Sequence, residues 1–257
     1  MNHPITNYLP YDLIVFDWDG TLLDSVASIV ACMRRAADDV GITSVSDEAV
    51  RGTIGLGLAD AAALLGRDEP PENVEAVLAA YRKHWFATYR DQPRAFAGAA
   101  EVLEELGRAG YLLAIATGKS RRGLDHDLKA TGLGSYFQAT RTVDEACSKP
   151  HPQMLLDLLD ELGVRAGRAL MVGDTTHDLR MAAGAGTDAV AVTCGSHRTR
   201  DLEELCPAGC LADVTALRPW LEERRRAGRP GTARMSTARA GTATMGTPEM
   251  DTERNGG

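Results

Sequence analysis

Lysine is nearly missing from this chain, with four residues against 24 arginines in a length of 257. Long apolar runs are missing altogether. None approaches the roughly 18 residues of a membrane-spanning helix, so no such helix is expected. Met1 to Pro10 show no basic stretch followed by an apolar one, so no secretory leader is expected and a cytoplasmic location is. Cysteine is sparse. The five residues are odd in number and irregular in spacing, which fits reduced cytosolic thiols and not a disulfide scaffold. Cys194, His197, Cys206 and Cys210 are of the types that ligate zinc, but their C-x2-H-x8-C-x3-C spacing follows no finger pattern, and they are read as small buried or loop residues. Positive charge is short as well. The net charge is −8; from Arg224 onward seven arginines face three acids, a local +4, so the first 223 residues carry −12. An acidic body excludes nucleic acid as a bulk partner, because backbone binding needs basic surface. It leaves room for a small phosphorylated ligand held through a metal.

What the chain does have is an alternation of short apolar runs and helical stripes. Its length suits one large domain, or a domain with a smaller insert. Leu13-Ile14-Val15-Phe16 reads as a first, central strand. Asp24-Ser25 offers helix-starting side chains, and Val26, Ile29, Val30, Met33, Ala37 and Val40 form a helical stripe closed by Gly41. Helical patterning continues through Ala61–Leu65 and Val74–Tyr81 to about Tyr89, with no strand-like run before Arg94. A helical block of this length is an inserted subdomain rather than a crossover helix. The strand-and-helix rhythm resumes near Gly98. Strands are expected at Tyr111–Ala116, Phe137–Thr142, Ala169–Val172 and, last, Ala189–Thr193, with helices between them closed by Gly110, Gly132 and Gly163. The alternation predicts an α/β fold with a doubly wound parallel sheet. The expected division is a core of residues 11–23 and 95–223, a small all-helical cap of residues 24–94, and a tail of residues 228–257. That tail has no Val, Leu, Ile or aromatic residue and is expected to be disordered.

Polar residues sit where the apolar runs end: Asp17-Trp18-Asp19-Gly20-Thr21, Thr117-Gly118, and Gly173-Asp174 with Asp178; Lys149-Pro150 stands before a helix. Buried parallel strands end in this way at their carboxyl edge, where open α/β sheets bind ligands. Two carboxylates, a hydroxyl, a lysine and two further carboxylates would meet in one crevice, as Mg²⁺-dependent transfer of a phosphoryl group to a carboxylate requires. Asp17, first after the strand, could attack phosphorus and divide one hard step into two. Asp19, two residues on, points the same way in an extended segment and could protonate the leaving oxygen, then take a proton from water. Trp18 would point away and pack. Mg²⁺ prefers six oxygens and few carboxylates, and Asp17, the Asp19 carbonyl and Asp174 can supply the protein's share. Asp178, one helical turn beyond Asp174, could orient a metal-bound water or the Lys149 ammonium. Asp174-Thr175 would also serve as a helix N-cap, and Thr117 as another. Thr117 and the Gly118 amide could instead hold phosphoryl oxygens. Lys149 is either a surface lysine or the compact ammonium that neutralises Asp17 and the transferring group.

These segments resemble, in order and spacing, the four motifs of the haloacid dehalogenase superfamily in its Asp-x-Asp phosphatase form. The helical insert after the first motif resembles the subfamily with a small mobile cap, and the likeness runs from about Leu13 to Leu217. Thr53-Ile54-Gly55-Leu56-Gly57-Leu58, Ile115-Ala116-Thr117-Gly118-Lys119 and Lys149-Pro150-His151-Pro152 are most similar to phosphoglycolate phosphatase-like enzymes. Phe96-Ala97-Gly98 departs from the Phe-Pro-Gly expected at the cap's exit, a matter of hinge rather than chemistry. The resemblance implies a Mg²⁺-dependent phosphomonoester hydrolase working through an aspartyl-phosphate on a small metabolite. Its first candidate is 2-phosphoglycolate, followed by sugar phosphates, nucleoside monophosphates and pyrophosphate. A phosphosugar mutase or pyrophosphatase of the same superfamily, or a catalytically silent binding protein, are the alternatives. Gly55 and Gly57 either let backbone approach the substrate or simply bound helices. Arg51, Arg82, Lys83 and Arg90 are candidate contacts for an acidic leaving group, and His197 for the crevice rim.

Overall fold

A computed structural model describes residues 9–42, 45–89 and 93–227. Its centre is a six-stranded, all-parallel sheet with strand order β3-β2-β1-β4-β5-β6. The strands are β1 (Leu13–Phe16), β2 (Leu112–Thr117), β3 (Ala139–Thr142), β4 (Ala169–Gly173), β5 (Asp188–Val192) and β6 (Gly209–Leu211). Alternation along β1 divides the core. Ile14 and Phe16 join the cluster on one face, packed by α5 (Ala99–Ala109), α6 (Arg121–Thr131) and α10 (Leu217–Ala227). Leu13 and Val15 join the other, packed by α7 (Gln153–Leu162) and α8 (Thr176–Ala185). The remaining core-side helix is α9 (Thr199–Glu203). The chain leaves β1 toward β2 and β3, then returns to β4 on the other side of β1. The strand order therefore reverses at β1, and a crevice opens at that switch point beyond the carboxyl ends.

Among the described residues, four helices stand between β1 and α5: α1 (Val26–Val40), α2 (Asp47–Arg51), α3 (Leu58–Leu65) and α4 (Pro71–Thr88). They bury a cluster of their own, in which Val30, Met33, Ala37, Val50, Ile54 and Val77 meet. The two connections to the sheet run side by side: Asp24 N–H donates to Arg94 O at 2.8 Å and Phe96 N–H to Leu22 O at 2.9 Å.

Several expectations need correction. Ala189–Thr193 was to be the last strand, but Gly209–Leu211 adds a sixth. Its three partly exposed or exposed residues are too few to carry a period. The third strand begins at Ala139 rather than Phe137, because a 3-10 turn over Leu133–Tyr136 precedes it. Ser25 occupies the N-cap position of α1 without capping it; its hydroxyl donates to Asp19 Oδ1 at 2.7 Å instead. The expected disorder of residues 228–257 lies outside the described residues.

Candidate active site

β1 and β4 place Asp17 and Asp174 side by side, since Phe16 is in register with Val172 and Asp17 N–H donates to Val172 O at 2.9 Å. Lys149, from the loop before α7, is fully buried and reaches both Asp17 Oδ1 and Asp178 Oδ1 at 2.6 Å. Its contact with Asp178 is a hydrogen bond. Its contact with Asp17 is a charge contact without hydrogen-bond alignment, so both Asp17 oxygens are buried without a hydrogen-bond partner. Burial alone would lower the Lys149 pKa, but Asp17 and Asp178 outweigh it and hold the ammonium above its ordinary value. A surface role for Lys149 is thereby excluded.

The other oxygens of this group are tied down. Asp178 Oδ2 accepts from Thr175 N–H and Thr175 Oγ1, completing a capping box at the start of α8. Thr175, not Asp174, is the cap, which leaves the Asp174 carboxylate to the crevice. Asp174 accepts from Thr21 Oγ1 at 2.8 Å and from Ser196 N–H and Oγ at 2.8 and 2.7 Å. Gly20, at φ +87°, lets the backbone pass over it; a Cβ there would stand 2.4 Å from Asp174 Oδ2.

Charge in this pocket does not balance. Asp17, Asp174 and Asp178 each offer an oxygen within 4.8 Å of the others, with one ammonium among them. Burial, joined by Asp178, lifts the Asp174 pKa to about 6. Burial also lifts Asp17, opposed by Lys149 and reinforced by Asp178 and Asp174. An all-oxygen, over-acidic and buried donor set, in which the Asp17 carboxylate has only the Lys149 ammonium beside it, suits a hard divalent cation such as Mg²⁺. The side-chain cluster takes in Asp178, where sequence spacing favoured Asp17, the Asp19 carbonyl and Asp174.

Asp19 faces away from this cluster. Lys119 Nζ donates to its Oδ1 and Oδ2 at 3.1 and 3.0 Å, and lies 3.3 Å from Asp127 Oδ2. Asp127 Oδ2 also accepts from Trp18 Nε1 at 3.1 Å. Trp18 is therefore a buried packing residue with a polar handle, and it anchors a relay that ends on Asp19. Burial pulls the Lys119 pKa down, yet Asp19 and Asp127 together leave it raised. The sequence reading assigned no role to Lys119 or Asp127. The available signal was Lys119 itself, another of the four lysines, two residues past Thr117.

Thr117 is buried and does not cap α6, whose N-cap is Ser120; its Oγ1 accepts from Lys119 N–H at 3.2 Å. Gly118 lies under the loop before α3, where a Cβ would come within 2.5 Å of the Gly55 and Leu56 carbonyl oxygens. Gly57 N–H donates to Ser148 Oγ at 2.9 Å, and His177 Nε2 donates to Gly52 O at 3.0 Å. The helical block thus sits closed on the sheet, and Gly55 and Gly57 serve its approach to the core. Beneath it a cavity of about 590 Å³ opens from Asp17 and Asp19, with Thr117, Gly118 and Lys119 in its lining.

Of the four cations proposed from sequence to meet a leaving group, Arg82 lines this cavity, while Arg51 and the exposed Lys83 do not. Arg90 lies outside the described residues. His197 accepts from Thr176 N–H at 3.1 Å and packs edge-on against His177, beside α8 rather than in the cavity lining. Cys206 and Cys210 are exposed, and the one cluster of potential metal-ligating side chains among the described residues is the aspartate triad.

The family model described as haloacid dehalogenase-like hydrolase matches residues 14–192. The protein named probable phosphatase IndB of Dickeya dadantii is 40% identical over 203 residues, spanning 76% of this chain and 86% of that one. A phosphoglycolate phosphatase of Mesorhizobium japonicum is 31% identical over 223 residues, spanning 84% of this chain and 98% of that one. Among solved structures, a hydrolase from Pseudomonas syringae superposes with a TM-score of 0.75 at 26% identity, covering 82% of this chain and 98% of that one. Four motifs at one sheet edge, the parallel sheet with its helical insert and these likenesses agree: the chain belongs to the haloacid dehalogenase-like hydrolase family.

Proposed function

We propose that this chain is a Mg²⁺-dependent phosphomonoester hydrolase acting on a small phosphorylated metabolite through an aspartyl-phosphate on Asp17. The carrying observation is the Asp17 carboxylate, buried, without a hydrogen-bond partner and beside Lys149, Asp174 and Asp178. Asp17, Asp174 and the Asp19 carbonyl would hold the cation, with Asp178 beside them. The bound ion would neutralise charge on the phosphoryl group as it transfers.

The chain's own residues supply the rest. Lys149 holds Asp17 in place and adds positive charge where the phosphoryl oxygens arrive. Thr117 and the Gly118 amide take further phosphoryl oxygens. Asp17 attacks phosphorus, and Asp19 delivers a proton to the departing alcohol oxygen. Asp19 then removes a proton from the water that cleaves the acyl phosphate. Lys119 suits this exchange because two carboxylates share it: when Asp19 carries a proton, Asp127 still compensates the ammonium. The helical block, residues 24–94, works as a cap that excludes bulk water during transfer. Its paired connections at Leu22–Asp24 and Arg94–Phe96 are the hinge. A partly open cavity of this size beneath the helical block favours a small metabolite, and the acidic body disfavours nucleic acid. A cytoplasmic site of action fits both.

The test is a panel of phosphomonoesters with and without Mg²⁺, followed by mass spectrometry of acid-quenched protein for a phosphorylated Asp17 peptide. Turnover that requires Mg²⁺, with the label on Asp17, is expected. No turnover of any monoester, or full turnover after chelation, overturns the proposal.

A further inference from the structure

The cavity walls say what kind of alcohol the phosphate is attached to. Resting on the hydrolase reading above, we infer that the substrate is a phosphomonoester whose alcohol carries an uncharged, apolar ring, rather than a small acid or a second phosphate.

Two observations lead there. The first is the wall itself. From the helical block, Ile29, Met33, Ile54, Tyr81, Trp85 and Phe86 line the cavity. Met33 and Ile54 are buried within the block's own cluster, and Tyr81 and Trp85 stack one helical turn apart, with centroids at 6.1 Å. About 590 Å³ suits a ligand well beyond a two-carbon acid, which would leave water against most of this apolar surface.

The second is charge. The lining carries five aspartates and three cations. Of the cations, Lys119 is already committed to Asp19 and Asp127. Arg82 and Arg122 are exposed, and Arg122 lies over the Phe86 ring with 5.7 Å to its centroid. A carboxylate or second phosphate on the leaving group would find the part-buried lining cation, Lys119, already paired with two aspartates, and Arg82 and Arg122 only at the exposed rim. A buried charge without a partner is strongly disfavoured. An uncharged ring meets no such penalty and gains by covering the apolar wall.

The experiment compares wild-type kcat/KM, with Mg²⁺, on ethyl, cyclohexylmethyl, benzyl and naphthylmethyl phosphates and on 2-phosphoglycolate and pyrophosphate. The four alcohols are of comparable basicity, so differences among them report on fit rather than on leaving-group chemistry. The ring-bearing esters should exceed ethyl phosphate by at least about tenfold, mostly through KM, and should exceed phosphoglycolate and pyrophosphate. Trp85→Ala should lower the benzyl-to-ethyl ratio of kcat/KM roughly two- to tenfold, and Trp85→Phe should restore most of it. Equal kcat/KM for ethyl and benzyl phosphate overturns the inference, as does a preference for phosphoglycolate or pyrophosphate, and each leaves the hydrolase reading standing. No turnover of any ester removes the hydrolase reading and this inference with it.

Discussion

The charged side chains on the cavity floor are held by partners from elsewhere in the chain: Lys149 by Asp17 and Asp178, Lys119 by Asp19 and Asp127, and Asp174 by the hydroxyls of Thr21 and Ser196. The wall that α1–α4 supply is different. Its side chains are mostly apolar, they pack in a cluster separate from those of the sheet, and its contacts with the core include single hydrogen bonds such as Gly57 to Ser148 and His177 to Gly52. A floor built this way holds atoms in fixed positions and tolerates no exchange of residue type. A wall built this way tolerates exchange and can hinge. On the proposed function, reaction chemistry falls to the floor and leaving-group choice to the wall, and substitutions in the two regions should differ in kind.

The largest effect is expected at the floor's centre. Asp17→Asn would replace the proposed nucleophile with an amide and remove a proposed cation ligand, and kcat should fall on the order of 10⁴-fold or more on every ester. A steady-state assay on purified, folded variant checks it, and turnover within tenfold of wild type would remove Asp17 from the nucleophile's role. Asp19→Asn should cost about 10² to 10⁴ in kcat, worst for alkyl phosphates and least for aryl phosphates with acidic leaving groups. A uniform loss across leaving groups would mean that Asp19 does not protonate the alcohol.

A smaller effect follows from the floor's unbalanced charge. The Asp174 pKa is raised by burial and Asp178 to about 6, from 3.8. A carboxyl raised in the folded state contributes stability that is full below the unfolded pKa and lost as pH rises through the folded one. For Asp174 that loss is about 3 kcal/mol between about pH 4 and pH 6. Asp17 acts in the same direction. Bound Mg²⁺ would supply the missing positive charge, and its binding requires the ionised carboxylates. The rise in Tm on adding Mg²⁺ should therefore be greater at about pH 8 than at about pH 5, by thermal melts of the same protein. Comparing with and without metal at each pH cancels His177 and His197, whose burial-lowered pKa values act in the opposite sense. An equal rise at both pH values would place the cation elsewhere.

The same division decides what could be read from sequence. Asp17, Thr117 and Asp174 were legible because apolar runs stop at them, and a parallel strand that stops at a polar residue has few other meanings. The strand ends then brought remote motifs together without further information. The relay from Trp18 through Asp127 and Lys119 to Asp19 was not legible. Trp18 and Asp127 are 109 residues apart, and no period or spacing links them. Ser25 looked like a helix cap and instead holds Asp19, since both uses need the same hydroxyl. On the wall, charge alone did not find the inward face. Of the four cations singled out, Arg82 lines the cavity, Arg51 and Lys83 do not, and Arg90 lies outside the described residues, because the inward face of α4 is set by geometry.

That geometry yields the smallest effect. At about 100° per residue, Tyr81, Arg82, Trp85 and Phe86 fall within one arc of α4, and Lys83 falls beyond its edge. The structure agrees: those four line the cavity, while Lys83 is exposed and absent from the lining. An exposed helix lysine without a close partner contributes little to stability, and Ala is the better helix former by a few tenths of a kcal/mol. Lys83→Ala should therefore leave kcat and KM within about twofold of wild type on every ester, with Tm unchanged or slightly raised. The wall's role rests on its apolar inner face, so a charge on its outer face must be silent. A selective change in KM for acidic substrates in Lys83→Ala would show that the block turns this face toward the substrate in the working enzyme, and the closed arrangement of α4 would then not be the one in which the leaving group is chosen.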